Sequence, residues 1–252
     1  MIITSKANET IKDLKRLRLG KYREETGLHL AKGDKLVLDL VANGMQVDTL
    51  VVTEGYDCPE LPARRRIVVS EQVMAELSEM PSPQHLAAAV VTPDTRCPEA
   101  YPDGLVVVLE CVQDSGNVGT VIRSADALGA ACVLLSPDSA DPFASKTLRA
   151  SMGSCYNIPV YIGDIQAEIK KMLAHGAVCI CGDLRGEPEL PETADRTAIV
   201  IGNEGNGVTE ETAKLCRRYR MPILGKAESL NAAVFSALMI DRLVQRQLGR
   251  KP

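Results

Sequence analysis

Between residues 105 and 221 the chain carries six strand-length runs, five of them rich in Val, Ile, Leu and Cys, separated by stretches long enough for helices. The runs are Leu105–Leu109, Ala131–Leu135, Ile158–Ile162, Ala177–Cys181, Thr197–Ile201 and Tyr219–Met221. Their composition suits burial on both faces, a setting that a parallel sheet covered by helices supplies. The spacing predicts helices over Val118–Leu128, Pro142–Ala150, Asp164–Ala174, Glu210–Arg217 and Leu230–Leu248. Alternation of this kind implies an α/β fold with a parallel sheet and helices on both sides.

Two of these runs end alike. Ile199–Glu210 reads IVIGNEGNGVTE and Met221–Asn231 reads MPILGKAESLN. Each breaks from apolar residues into Gly, Asn and Glu, as a buried parallel strand does when its carboxyl end faces a ligand. A third stretch, Asp114–Gly129, reads DSGNVGTVIRSADALG and opens a helix just after the strand Leu105–Leu109. It places Asn117, Gly119 and Arg123 in the opening turns. The G-x-G-x-x-G dinucleotide fingerprint is absent.

Ahead of this lies a smaller pattern. Asn8–Tyr22 is predicted as a helix with Ile11, Leu14 and Leu17 on one face and Lys12, Lys15, Arg16 and Lys21 around it. Lys35–Ala42 is predicted as a helix that stops at Asn43-Gly44, and Glu71–Glu79 as a short one. Strands are expected at Val47–Val52, Arg64–Val69 and Ala87–Val91. These make a small α/β domain over 1–91. The three-proline stretch Thr92–Gly104 reads as a linker at 92–103, and a second domain fills 104–252.

The three Gly- and Asn-rich stretches, in this order, closely resemble the motifs of the SpoU (TrmH-like) family of SPOUT methyltransferases, over roughly Gly104 to Leu248. The resemblance implies a SPOUT α/β fold whose last segments form a deep trefoil knot, which periodicity does not show. It implies methyl transfer from S-adenosyl-L-methionine to a ribose 2′-hydroxyl of RNA. It implies catalytic positions at Arg123, Asn117, Glu204, Ser229 and Asn231, with Arg123 at the target ribose or its phosphate and Glu204 positioning Arg123 or the substrate. Main chain at Gly202, Met221 and Leu230 would hold the adenosine part of the donor. Read without the family, Asn117, Ser229 and Asn231 are helix caps, Glu204 is a charge at a helix N-terminus and Arg123 pairs with a carboxylate on a neighbouring strand end. Two positions depart from the family pattern. Asp114-Ser115 stands for Asp-Pro, and Ala232-Ala233 follows Ser229-Leu230-Asn231 where Val-Ser is common.

The first domain resembles the N-terminal substrate-binding domain of many SpoU enzymes, itself similar to kink-turn-binding ribosomal proteins. The segments SKANETIKDLKRL, KYREETGLHLAKGDKLVLD and SPQHLAAAV carry that likeness, with Lys32-Gly33 where Glu-Gly is common. RNA is thus the expected partner, ribosomal RNA first because of the extra domain and transfer RNA second. A non-catalytic RNA-binding or assembly factor is the reading from another class. Net charge is −4, yet residues 1–23 hold seven Lys or Arg against two acids. Lys12, Lys15, Arg16, Arg64, Arg65 and Arg66 are therefore the expected phosphate contacts.

Eight cysteines occur without a Cys-x-x-Cys, and three histidines are scattered, so no metal site is expected. Neither an 18-residue apolar run nor a signal-peptide core is present, and the expected place is the cytoplasm, away from membranes. Leu230, Val234, Leu238, Val244 and Leu248 recur at helical spacing, and SPOUT enzymes pair through their knotted domains, so a homodimer is expected.

Overall fold

The structure, a computed structural model, describes residues 2–78 and 84–249. In chain order the elements are β1 (Ile2–Ile3), α1 (Glu9–Arg16), α2 (Gly20–Thr26), β2 (Leu28–Lys32), α3 (Asp34–Ala42), β3 (Val47–Thr53), β4 (Arg65–Val69), α4 (Glu71–Ser78), β5 (Leu86–Val91) and β6 (Gly104–Leu109). There follow α5 (Ser115–Leu128), β7 (Cys132–Leu135), α6 (Ser145–Ser151), β8 (Val160–Ile162), α7 (Ile165–Ala174), β9 (Val178–Glu187), β10 (Arg196–Ile201), α8 (Glu210–Ala213), β11 (Arg217–Tyr219) and α9 (Ala232–Gly249). They form two compact units, Met1–Pro93 with Phe143–Tyr156, and Asp94–Pro142 with Asn157–Pro252. Glu79, the expected last residue of α4, lies outside the described residues.

The first unit is a mixed five-stranded sheet in the order β1-β4-β3-β5-β2. β1, β4 and β3 run parallel, while β5 is antiparallel to both β3 and β2. One face packs Ile11, Leu14 and Leu17 with Val73, Met74 and Leu77, and the other packs Val37 and Leu40. The single helix expected over Asn8–Tyr22 is two helices. The Arg23 guanidinium, buried by the turn, donates to the carbonyls of Leu17 (2.9 Å) and Arg18 (2.8 Å), which ends α1 and redirects the chain. β2 was not expected. Its second residue, His29, is fully buried and bonded to Thr92 Oγ1 (3.1 Å) and Tyr156 OH (2.7 Å), so a core strand carries a polar residue that hides its pattern.

The second unit holds a six-stranded sheet, β11-β9-β10-β6-β7-β8, parallel throughout. Alternate residues serve opposite faces. Val106, Val108, Cys132, Leu134, Cys179, Cys181, Ala198 and Val200 meet Ile165, Ile169, Met172 and Ala213 of α7 and α8. The other face is covered by α5 and α9, which pack on each other and on β6 and β7. The helix expected over Glu210–Arg217 ends at Ala213, because Arg217 and Arg218 pair with Ile180 and Cys181 of β9. From Asp94 onward the proline-bearing stretch lies in this unit: Arg96 bridges Ile162, and Tyr101 is buried. Among the described residues no helix is long and apolar enough to cross a membrane.

Candidate active site

β6 and β10 lie side by side, Gly104 opposite Arg196 through Leu109 opposite Ile201. Past that register the two chains part. One enters α5 and β7, and the other passes through α8 to β11 on the far side of β9. Such a divergence leaves a crevice at the carboxyl ends of the strands, where open α/β sheets bind ligands.

Glu110, directly after β6, is 3% exposed. Its carboxylate accepts from Thr209 N (2.8 Å), Thr209 Oγ1 (2.7 Å), Thr212 Oγ1 and Gln166 Nε2 (3.1 Å). Those four donors compensate a buried charge and tie the cap of α8 to the end of β6. Cys111 follows at φ 55, in the left-handed region. Its N–H donates to Ser136 Oγ (2.8 Å) and its carbonyl accepts from Asn203 Nδ2 (2.9 Å), so a disfavoured backbone is held from both sides.

After β10 the GNEGNG segment closes on itself. Asn203 and Gly207 exchange main-chain bonds at 3.0 and 2.9 Å, and Asn203 Oδ1 accepts from the N–H groups of Gly205 (3.0 Å) and Asn206 (3.1 Å). A Cβ on Gly202 would lie 2.1 Å from the Gly207 carbonyl carbon, so the loop closes only because that position has no side chain. Glu204 is thereby presented at the exposed tip.

Three side chains from three distant segments then link. Asn117 Nδ2 donates to Glu204 Oε1 (2.9 Å), and Asn231 Nδ2 donates to Asn117 Oδ1 (3.0 Å). A carboxylate only accepts, so Asn117 must turn its amide nitrogen to Glu204 and its oxygen to Asn231. Asp114 caps α5 through the Asn117 N–H (2.8 Å), and Asn231 caps α9 through the N–H groups of Ala233 (2.9 Å) and Val234 (3.3 Å). The capping role of Asn231 and its place in the cluster coexist; in α5 the cap is Asp114, which frees the Asn117 side chain. Glu204 meets Asn117 rather than Arg123.

Arg123 and Ser229 are exposed, and their side chains make no hydrogen bond or ion pair among the described residues. The carboxylate partner weighed for Arg123 is thus not seen there. Met221 is half-buried and Leu230 is 37% exposed. They bracket a stretch without regular structure, in which the N–H groups of 223–230 make no hydrogen bond among the described residues. In the first unit Lys12 pairs with Glu9 (2.8 Å), Lys15 with Glu76, Arg16 with Asp13 (3.2 Å) and Arg64 with Asp48 (3.4 Å). Arg65 reaches Thr49 Oγ1 at 3.4 Å and Arg66 is exposed. Sequence reasoning passed over Glu110, Cys111 and Asn203. The available signal was an acid directly ending the apolar run LVVVL.

Comparison with known proteins fits this arrangement. The model of the SpoU rRNA Methylase family matches residues 104–241, and that of the MRM3-like substrate binding domain matches residues 8–88. The chain is 34% identical over 247 residues to the 23S rRNA (guanosine(2553)-2′-O)-methyltransferase RlmP of Bacillus subtilis (strain 168), covering 96% of this chain and 98% of the relative. The AdoMet-bound rRNA methyltransferase from Sinorhizobium meliloti superposes with a TM-score of 0.84 at 29% identity, over 95% of each chain. The SpoU methyltransferase AviRb from Streptomyces viridochromogenes, in complex with AdoMet, gives 0.85 at 25% identity, over 97% of this chain and 100% of the other. The chain belongs to the SpoU rRNA methylase family. It is an RNA methyltransferase with the SPOUT α/β fold that its three motifs imply.

Proposed function

We propose that the crevice between β6 and β10 carries the methyl group of S-adenosylmethionine to a ribose 2′-hydroxyl of ribosomal RNA. The observation that carries this reading is the Glu204–Asn117–Asn231 chain beside a loop whose main-chain groups are unbonded. Donor and loop fit each other: an adenosine edge needs main-chain donors and acceptors at fixed places, and 223–230 offers them with no side chain required. The donor supplies a methyl group already activated by its sulfonium. The chain's own task is alignment, which contributes up to about 7–11 kcal/mol, and polarisation of a poor nucleophile. Arg123, without an ion pair among the described residues, stabilises the developing alkoxide electrostatically while a phosphate oxygen of the RNA takes the hydroxyl proton; a guanidinium does not serve as a base. Glu204, held by Asn117, and Ser229 orient the acceptor ribose.

The knotted topology belongs to the same reading; what supports it is that Asn231, beyond β11, reaches Asn117 at the start of α5. So does pairing of two copies. α9 buries Ala233, Ser236, Met239, Ile240 and Leu243 but leaves Val234 51%, Leu238 41% and Leu248 54% exposed. Eight free cysteines support a reducing compartment, the cytoplasm.

The test is single-turnover methylation of ribosomal RNA alongside calorimetric titration of the donor. Arg123→Ala should lower turnover by about 10²–10³, the cost of removing one transition-state donor, at unchanged donor affinity. Lys should rescue little, because a point charge lacks the forked geometry. Near-normal turnover in the Ala variant removes Arg123 from the mechanism. No donor affinity in the parent favours an RNA-binding factor, and methylation of transfer RNA alone moves the substrate.

A further inference from the structure

The first unit holds a cavity of about 330 Å³ that methyl transfer does not use. It opens between the β2–α3 corner and α6, all within that unit. Leu30, Leu36, Leu148 and Met152 make its walls apolar. Lys35, Lys146 and Arg149 stand around them, exposed and without a carboxylate partner among the described residues. This sets them apart from α1, whose Lys12, Lys15 and Arg16 each meet an acid. Cations not held in an ion pair stay available to an anion, although Asp34 and Asp39 also line the cavity. Asp39 adds an acceptor to the lining, of the kind that receives an amino group of a base.

The geometry of α6 points the same way. The helix ends on Met152 at φ 51, where glycine is the usual residue, and the side chain is 49% exposed. An apolar residue is thus held in a disfavoured conformation at the mouth with little packing in return. The segment is anchored to the unit by Tyr156 OH on His29 Nε2 (2.7 Å) and by Phe143 against the His29 ring, 5.0 Å between centroids. The walls are therefore built, not adventitious. Small-ligand pockets run from roughly 300 to 1,000 Å³, so the size suits one nucleotide rather than a duplex.

We propose that this cavity binds a single nucleotide, its base against Leu36, Leu148 and Met152 and its phosphate between Lys146 and Arg149. An unstacked residue of single-stranded RNA and a free mononucleotide present that same chemistry. The proposal rests on the RNA reading above but is read out separately from it.

The experiment uses the full chain with ¹³C-methyl methionine. The probes are AMP, GMP, CMP and UMP singly, and a single-stranded RNA hexamer containing all four bases. The Met152 methyl resonance, identified by its loss in Met152→Gly, should shift on addition. The shift should disappear in the double variant Lys146→Glu/Arg149→Glu, whose fold is checked by parental affinity for S-adenosylmethionine. Hexamer affinity in that variant should fall more than tenfold and its salt dependence flatten by about 0.7 in log–log slope, the value for one phosphate on a single strand. Met152→Gly relieves the left-handed residue, so its Tm should match or exceed the parent's while nucleotide affinity drops severalfold. A shift with the hexamer alone assigns the nucleotide to RNA, and one with monophosphates that the hexamer cannot compete assigns it to the free pool; both sustain the cavity as a nucleotide site. An unmoved Met152 resonance with every probe, or unchanged hexamer affinity and slope in the double variant, overturns it. Failure of the methyl-transfer reading would appear instead as absent donor binding with this shift intact.

Discussion

Asn117→Asp puts the link between Asn117 and Glu204 under the sharpest strain. The parent amide donates to Glu204 Oε1 at 2.9 Å. The variant replaces that donor with an oxygen, so two carboxylates face each other. The lost hydrogen bond to a charged acceptor is worth about 1.5–3 kcal/mol. The added repulsion is about 1 kcal/mol in water and about 4 at an effective dielectric of 20, for charges 4 Å apart. Asn117 is half-buried and Glu204 exposed, so solvent screening holds the second contribution near its lower end. A total of about 3 kcal/mol means a loss of roughly 100-fold in methyl transfer at pH 8.

The same contact carries a pH dependence. Two facing carboxylates repel, which favours a shared proton on one of them as pH falls. With that proton bound, an O–H donor sits where the amide was. Activity of Asn117→Asp relative to the parent should therefore climb as pH falls from 8 to 5.5, while Asn117→Ala, with no proton to gain, stays flat against the parent. Single-turnover rates of all three across that range are the assay. A ratio for Asn117→Asp that does not move with pH, or parental activity at pH 8, would show that the contact does not shape the site.

Gly202→Ala sets a Cβ 2.1 Å from the Gly207 carbonyl carbon, where only backbone could yield, and should cost about 1–3 kcal/mol in urea unfolding together with donor affinity in calorimetry; unchanged donor binding would dissociate this loop from the donor pocket. Leu238→Glu places a charge on the exposed stripe of α9 and should convert a dimeric mass to a monomeric one in light scattering, whereas a parent already monomeric at micromolar concentration sinks the pairing proposal. Asp183 receives Arg185 (2.9 Å) and Arg218 (3.2 Å), and hydrogen bonding from Arg185 outweighs burial in holding its carboxyl below the usual range. A depressed folded pKa contributes stability above the unfolded value and loses it as pH falls through the folded one. Asp183→Asn should thus be less stable than the parent at pH 7 in urea melts, with the gap closing below about pH 4, where unfolded Asp titrates; a gap independent of pH would mean that charge plays no part.

The parallel sheet was legible because its strands are buried on both faces and say so in composition: Leu105–Leu109 and Thr197–Ile201 were placed to within one residue of β6 and β10. The N-terminal helices were less legible, since the break between α1 and α2 depends on the Arg23 guanidinium finding the carbonyls of Leu17 and Arg18, a contact that periodicity does not encode. β2 escaped because His29, a polar residue at 0% exposure, is satisfied only by Thr92 and Tyr156, far along the chain. The ends of α8 and β9 shifted for a related reason. Arg217 and Arg218 are adequate helix formers, but pairing with Ile180 and Cys181 outweighs a propensity difference of tenths of a kcal/mol.

The site divides along the same line. Gly202, Asn117, Glu204 and Asn231 stood out because a Gly- and Asn-rich break after an apolar run is locally odd, and oddness is visible in one dimension. Glu110 and Asn203 did not, although the loop depends on them. Glu110 looks like any acid at a strand end until Thr209 and Thr212 are brought to it across about a hundred residues of sequence. Asn203 looks like a turn residue until its amide meets the Cys111 carbonyl. The residues proposed to face a ligand are marked by their chemistry, while those that hold them in place are marked only by their partners. That asymmetry gives the two groups different signatures. Loss of Glu110 should leave buried donors unpaired and loosen the fold and the loop together. Loss of Arg123, exposed and with no side-chain partner among the described residues, should leave the fold untouched and remove turnover alone. Unfolding and single-turnover measurements on Glu110→Gln beside Arg123→Ala separate the two, and equal stability losses in both variants would refute the division.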